Sequence, residues 1–154
     1  MKKLLLAGLM FGAFAHAQLA TKKTLTLEAA KKIVAAAEAE AVKSKFTMVI
    51  CVVDDGGNVI MLERMDGTQL GSIQVAQDKA MTALNFKRPT KALEDAVAGG
   101  RNAVLKLTGA IPIEGGIPIT VDGVIIGAVG ASGGTSPQDA QVAAAGVKVA
   151  EAMK

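Results

Sequence analysis

The sequence predicts a single α+β domain built on an antiparallel sheet. Three observations carry the prediction. Apolar runs with strand character come in pairs joined by tight turns, Thr47 to Val53 with Val59 to Met65, and Ile117 to Val121 with Val124 to Ala128. Segments with apolar residues at helical spacing lie between these pairs. The resulting order, α-β-β-α-α-β-β-β-α, is that of hairpins with helices between them and not of alternating βαβ units.

The N-terminus stands apart from this pattern. Lys2 and Lys3 precede an apolar stretch from Leu4 to Ala15, and Ala15-His16-Ala17 has the small-residue form of a cleavage site. Residues 1–17 are therefore expected to be a signal peptide, with residues 18–154 forming the single exported domain, periplasmic or secreted. The apolar stretch is too short to span a bilayer, so no membrane attachment is expected after cleavage. Removing 17 of the 154 residues leaves 137, the size of one domain. Removing Lys2 and Lys3 takes the formal net charge from +3 to +1. With no basic run interleaved with aromatics, nucleic acid is not an expected partner. A nearly neutral exported surface favours small molecules or self-association.

The cut also removes His16, the one histidine, and the chain has no Tyr or Trp. That excludes His-based triads, His-ligated zinc, and a His or Tyr ligand to haem iron from within the mature chain, and no metal site is expected. Cys51 is the single cysteine, so no intramolecular disulfide forms. It lies in the apolar run Met48 to Val53, which suits a buried small hydrophobe; a redox thiol or soft metal ligand is the alternative.

Each element has its own justification. Thr26 caps a first helix in which Leu27, Ala30, Ile33, Val34, Ala37 and Ala41 recur on one face. Thr47 to Val53 is a continuous β-branched run, suited to a central strand. Asp54-Asp55-Gly56-Gly57-Asn58 is dense in turn formers and lacks the ligand spacing of a calcium loop. Val59 to Met65 returns as the second strand. At its end, Arg64 and Asp66 are two residues apart and so share a face. They either pair with each other or leave Arg64 to grip a carboxylate. Ser72 is placed to cap a helix from Ile73 to Phe86, which Arg88-Pro89 ends. Thr90 is placed to cap a short helix from Lys91 to Ala98, closed by Gly99-Gly100. Ile111-Pro112-Ile113 is assigned as a short edge strand.

The stretch from Glu114 to Asp139 organises the rest. Asp122-Gly123 between alternating apolar runs predicts a hairpin, because both residues tolerate φ > 0. Gly127, Gly130, Gly133 and Gly134 leave room for a bend or a close approach. Ser136 is expected as N-cap, Pro137 at N1 and Asp139 at N3 of a final helix to Ala152. Gly146 on that helix predicts close packing on a neighbour. The positive end of this helix beside Glu114, Gly115 and Gly116 offers a floor for an anionic ligand, or is an ordinary turn and cap.

Six motifs in this order then resemble a known family: Val52-Val53-Asp54-Asp55-Gly56-Gly57, Arg64-Met65-Asp66-Gly67, Lys79-Ala80-Met81-Thr82-Ala83, Gly115-Gly116-Ile117-Pro118-Ile119, Ile126 through Gly133, and Gln138-Asp139. Together they resemble the GlcG/HbpS-like haem-binding proteins, related to the C-terminal module of PduO-type adenosyltransferases, over about Leu25 to Met153. The resemblance implies a profilin-like α/β/α sandwich around a five-stranded antiparallel sheet. It also implies a compact homo-oligomer, octamers included, and haem as cofactor. Without His or Tyr, the remaining iron ligands are Met, Cys51 or Lys, or none, with Arg or Lys on the propionates.

Three functions are compatible with these residues. One is an exported, oligomeric small-molecule binder with haem or another tetrapyrrole as ligand. Another is an enzyme on a small hydroxy- or oxo-acid, with Lys79 or Asp139 as acid/base and Arg64 as carboxylate clamp; Asp66, Glu114, Gly115, Gly116 and Ser136 would complete the ligand site. The third is a structural or sensory oligomer.

Overall fold

The computed structural model describes residue 19 and residues 21–153; the predicted signal peptide, residues 1–17, lies outside the described residues. Four α-helices, one 3-10 turn and four strands follow in chain order: α1 Leu27–Lys43, β1 Val49–Asp54, β2 Val59–Arg64, α2 Gly71–Phe86, α3 Lys91–Ala98, the 3-10 turn Asn102–Lys106, β3 Gly116–Val121, β4 Val124–Ser132 and α4 Ser136–Glu151. The sheet is antiparallel with order β2-β1-β4-β3, so both predicted hairpins form and β1 joins them through β4.

The α+β class holds, but the sheet of the described residues has four strands and not five. The missing strand is Ile111-Pro112-Ile113. Pro112 has no N–H, the Ile111 N–H donates to Thr82 Oγ1 at 2.9 Å, and just beyond the segment the Glu114 N–H goes to Glu94 Oε2. That leaves the Ile113 N–H as the segment's one remaining donor, too few for a ladder.

Alternation along β1 divides the interior in two. Ile50 and Val52 join Met48 under α1 and α4, with Ile33, Val34, Ala37, Val129 and Val142. Val49, Cys51 and Val53 face α2, with Ala76, Ala80, Ala83 and Ala128. Helices thus cover both faces, which is why every residue of β1 from Val49 to Val53 is fully buried.

Small residues let the layers approach closely. A Cβ on Gly130 would sit 2.0 Å from the Ala76 carbonyl oxygen, and one on Gly146 would sit 3.0 Å from Ile33. Gly130 is therefore a strand residue lying directly beneath α2, not part of a loop, and β4 runs on to Ser132. Gly146 seats α4 on α1, as its place in the sequence predicts.

Local turn chemistry follows the sequence in most places. Asp122 and Gly123 both have positive φ, 51° and 77°. Asp54 Oδ1 accepts from the N–H groups of Gly56 and Asn58 at 2.9 and 2.8 Å, closing the first hairpin as an Asx turn. Thr26 caps α1 through the Ala29 N–H. The caps on the other helices differ. The N-cap of α4 is Thr135, whose N–H donates to Gln138 Oε1 at 2.9 Å; Ser136 and Pro137 are the first two residues of the helix, and Asp139 lies one position beyond N3. Ser72 does not cap α2 but is buried, with its hydroxyl 3.1 Å from that of Ser132. Thr90 makes no side-chain cap on α3 and turns instead to Gly116.

Candidate functional site

Two places in the fold gather the chemistry. The first is a buried ion pair at the end of the sheet. Lys79 lies midway along α2 and Asp139 in the first turn of α4, so they belong to helices on opposite faces of the sheet. Lys79 Nζ donates to Asp139 Oδ2 at 2.6 Å, and the two side chains are 1% and 4% exposed. Asp139 Oδ1 accepts from the Gly134 N–H at 2.9 Å. The positive start of α4 is thereby answered by a carboxylate of its own chain.

Gly115 and Gly116 make that contact sterically feasible. A Cβ on Gly115, whose φ is 126°, would sit 2.9 Å from Lys79 Nζ and 2.8 Å from Asp139 Cβ. A Cβ on Gly116 would sit 2.1 Å from the Lys79 carbonyl oxygen. The glycine pair is held in place by backbone and hydroxyl. Thr90 donates its N–H to the Gly116 carbonyl and accepts the Gly116 N–H on Oγ1, both at 2.9 Å. The Gly115 carbonyl accepts the Ala131 N–H at 2.9 Å. Lys79, Asp139, Gly115 and Gly116 of the predicted site are thus brought together, and the ammonium is covered.

The other predicted residues stand elsewhere. β2 ends at Arg64, and its guanidinium donates to the Thr68 carbonyl at 3.1 Å instead of pairing with the exposed Asp66. Glu114 is half-buried and anchored through its N–H to Glu94. Ser136 is half-buried at the start of α4. Cys51 is fully buried, and burial pushes its thiol up to about 12, which removes it as a thiolate nucleophile or ligand. Among the described residues no group of three His, Cys, Asp or Glu side chains is placed to hold a metal ion.

The second place is a groove of about 560 Å³, within the ~300–1,000 Å³ range of small-molecule sites. The segment Lys23 to Thr26 forms one wall, the first turns of α1 another, and the β3–β4 hairpin with the end of α4 the floor. Leu25, Val121, Ile126, Ala150 and Met153 make it largely apolar, while Lys23 and Lys32 stand at its rim. Lys23 Nζ pairs with Asp122 at 2.6 Å and Lys32 Nζ with Glu28 at 3.7 Å; all four side chains are more than half exposed. Leu25 reaches the floor because Gly127 has no side chain, since a Cβ there would sit 2.5 Å from Leu25 Cδ1. Sequence reasoning misses this groove. Its walls come from segments about 100 residues apart, and no local pattern marks them. None of the sequence-predicted site residues lines it.

Comparison with known proteins gives a consistent family. Residues 25–148 match the family described as haem degrading protein HbpS-like. The chain is 44% identical to protein GlcG of Escherichia coli over 112 residues, covering 73% of this chain and 84% of GlcG. It is similar to the crystal structure of a double mutant of Streptomyces reticuli HbpS, with a TM-score of 0.78, 33% identity, and coverage of 89% of this chain and 96% of that one. It is also similar to the crystal structure of a PduOC–haem complex, with a TM-score of 0.74, 28% identity, and coverage of 82% and 95%.

Proposed function

This chain belongs to the HbpS-like family of haem-degrading proteins, and on that premise we propose that it is an exported, homo-oligomeric small-molecule-binding protein whose ligand is haem or a related tetrapyrrole. The observation that carries the reading is the apolar groove between α1, the end of α4 and the β3–β4 hairpin, with two lysines at its rim. A flat apolar ring fits against Leu25, Val121, Ile126 and Ala150, where burial of apolar surface contributes about 25 cal/mol per Å². Lys23 and Lys32 are the cations that would meet the propionates. The similarity to a PduOC–haem complex supports the same ligand class.

The residues present fit the porphyrin better than the iron. Among those lining the groove, Met153 has a donor that haem proteins use on iron, where it usually acts beside a histidine, while Lys23 and Lys32 are paired with Asp122 and Glu28 at the rim. Bound haem would supply the iron's redox chemistry; the chain's own contribution is to hold the ring and keep water from its buried face. Export rests on the signal-peptide pattern of residues 1–17. Among the described residues no helix is long and apolar enough to cross a membrane. Assembly, up to an octamer, is the family expectation, and β2 and β3 are the edge strands of the sheet.

Titration of the purified chain with haemin tests the ligand. A saturable shift of the Soret band is expected, and Ala150→Glu, which puts a charge on the floor, should abolish it. A haemin spectrum that never saturates would overturn the reading. Periplasmic fractionation and mass photometry test the address and the assembly: cleaved protein outside the cytoplasm and one closed oligomer are expected.

A further inference from the structure

We infer that the groove recognises the tetrapyrrole ring and its carboxylates but not the metal, so that metal-free dicarboxylic porphyrins bind as well as haem. This deepens the proposed function and rests on it. Four observations support it. The floor is apolar and carries no imidazole, phenolate or thiolate; the chain's one histidine, His16, precedes the predicted cleavage point, and Cys51 lies buried beneath α2. Met153 offers only a neutral thioether, a weak ligand that adds little affinity by itself. Lys23 and Lys32 stand at the rim, and each ammonium already holds a carboxylate, that of Asp122 or Glu28. Both pairs are exposed, and an exposed pair is worth about 0–1 kcal/mol. Either ammonium can therefore exchange its partner for a ligand carboxylate, or use its spare donors to hold both, at little cost.

The charge pattern also sets the ligand class. The rim offers two cations beside an apolar floor, which matches a flat apolar body with two carboxylates on its edge. It does not match a small hydrophilic anion, which would leave the floor wet, or a neutral apolar molecule, which would leave the lysines unused.

The test compares haemin, protoporphyrin IX and the same porphyrin with both carboxylates esterified, each titrated into the full 154-residue chain and read by absorbance and porphyrin fluorescence. Haemin and protoporphyrin IX are expected to bind within about threefold of each other, and the diester about tenfold more weakly, the sum of two exposed ion pairs. Lys23→Gln with Lys32→Gln should weaken haemin and protoporphyrin IX alike, by about tenfold. Met153→Leu and His16→Ala should change haemin affinity by less than about threefold. Haemin binding much tighter than protoporphyrin IX, or lost in Met153→Leu or His16→Ala, would overturn the inference and leave the haem reading standing. Failure of both porphyrins to bind would overturn the two together.

Discussion

Lys79 Nζ lies 2.6 Å from Asp139 Oδ2, and this one contact ties α2 on one face of the sheet to α4 on the other. It passes the end of the sheet through space that Gly115 and Gly116 leave open. Removing either charge strands the other in a dry site. Lys79→Met and Asp139→Leu are each expected to cost about 3–5 kcal/mol, and the double variant should recover much of that loss. Urea unfolding of the four proteins measures the coupling. Singles that unfold like the parent would mean that the pair is hydrated and does not join the layers.

Gly130 controls how closely α2 lies on β4. A Cβ at this position meets the Ala76 carbonyl oxygen at 2.0 Å and the Ala80 nitrogen at 2.6 Å, both backbone atoms that cannot rotate away. Gly130→Ala should therefore cost about 3 kcal/mol, the upper end of the overpacking range. Gly71→Ala, with nothing within 4 Å of the added methyl, is the matched control and should be neutral or slightly stabilising. Thermal unfolding distinguishes them; equal melting temperatures would contradict the close approach.

Glu63 on β2 has a buried Oε1 with no hydrogen-bond partner. Desolvation, with the neighbouring charge of Glu38 as a second cause, holds its carboxyl above the usual carboxylate range. A group raised in the folded state binds more protons there than in the unfolded chain, so stability falls as pH rises through its folded value. Glu63→Gln removes that loss. It should stabilise the protein at pH 7 by on the order of 1 kcal/mol or less, with the gain shrinking toward about pH 4. A gain that instead grew on acidification would reverse the assignment.

Cys51 gives a chemical check on the core beneath α2. With no exposed surface and its thiol pushed up to about 12, it should not react with a thiol reagent at pH 8 in the native protein. It should react fully in denaturant. Rapid labelling of folded protein would show that α2 opens readily.

Much of the fold was legible because turn and cap chemistry acts over a few residues. Asp122-Gly123 turns the second hairpin since both positions need positive φ, and Asp54 closes the first by bonding residues two and four ahead. A continuous β-branched run placed β1, and small residues at helical spacing placed α1. Errors arose where a side chain had a distant alternative. Thr90 looks like a cap until Gly116 is found beside it, and Ile111-Pro112-Ile113 looks like a strand until Thr82 takes its first donor.

The candidate sites divide along the same line. Sequence alone determined which chemistries are missing, since composition bears directly on them, and it singled out Lys79, Asp139 and the Gly115-Gly116 pair as residues of interest. Tertiary structure alone decided that these four meet across the sheet end, that Arg64 turns to Thr68, and that a groove opens between the Lys23–Thr26 segment and the end of α4. The reason is physical. A backbone turn depends on neighbours in the chain, whereas the meeting of two side chains 60 positions apart depends on how closely whole layers can pack.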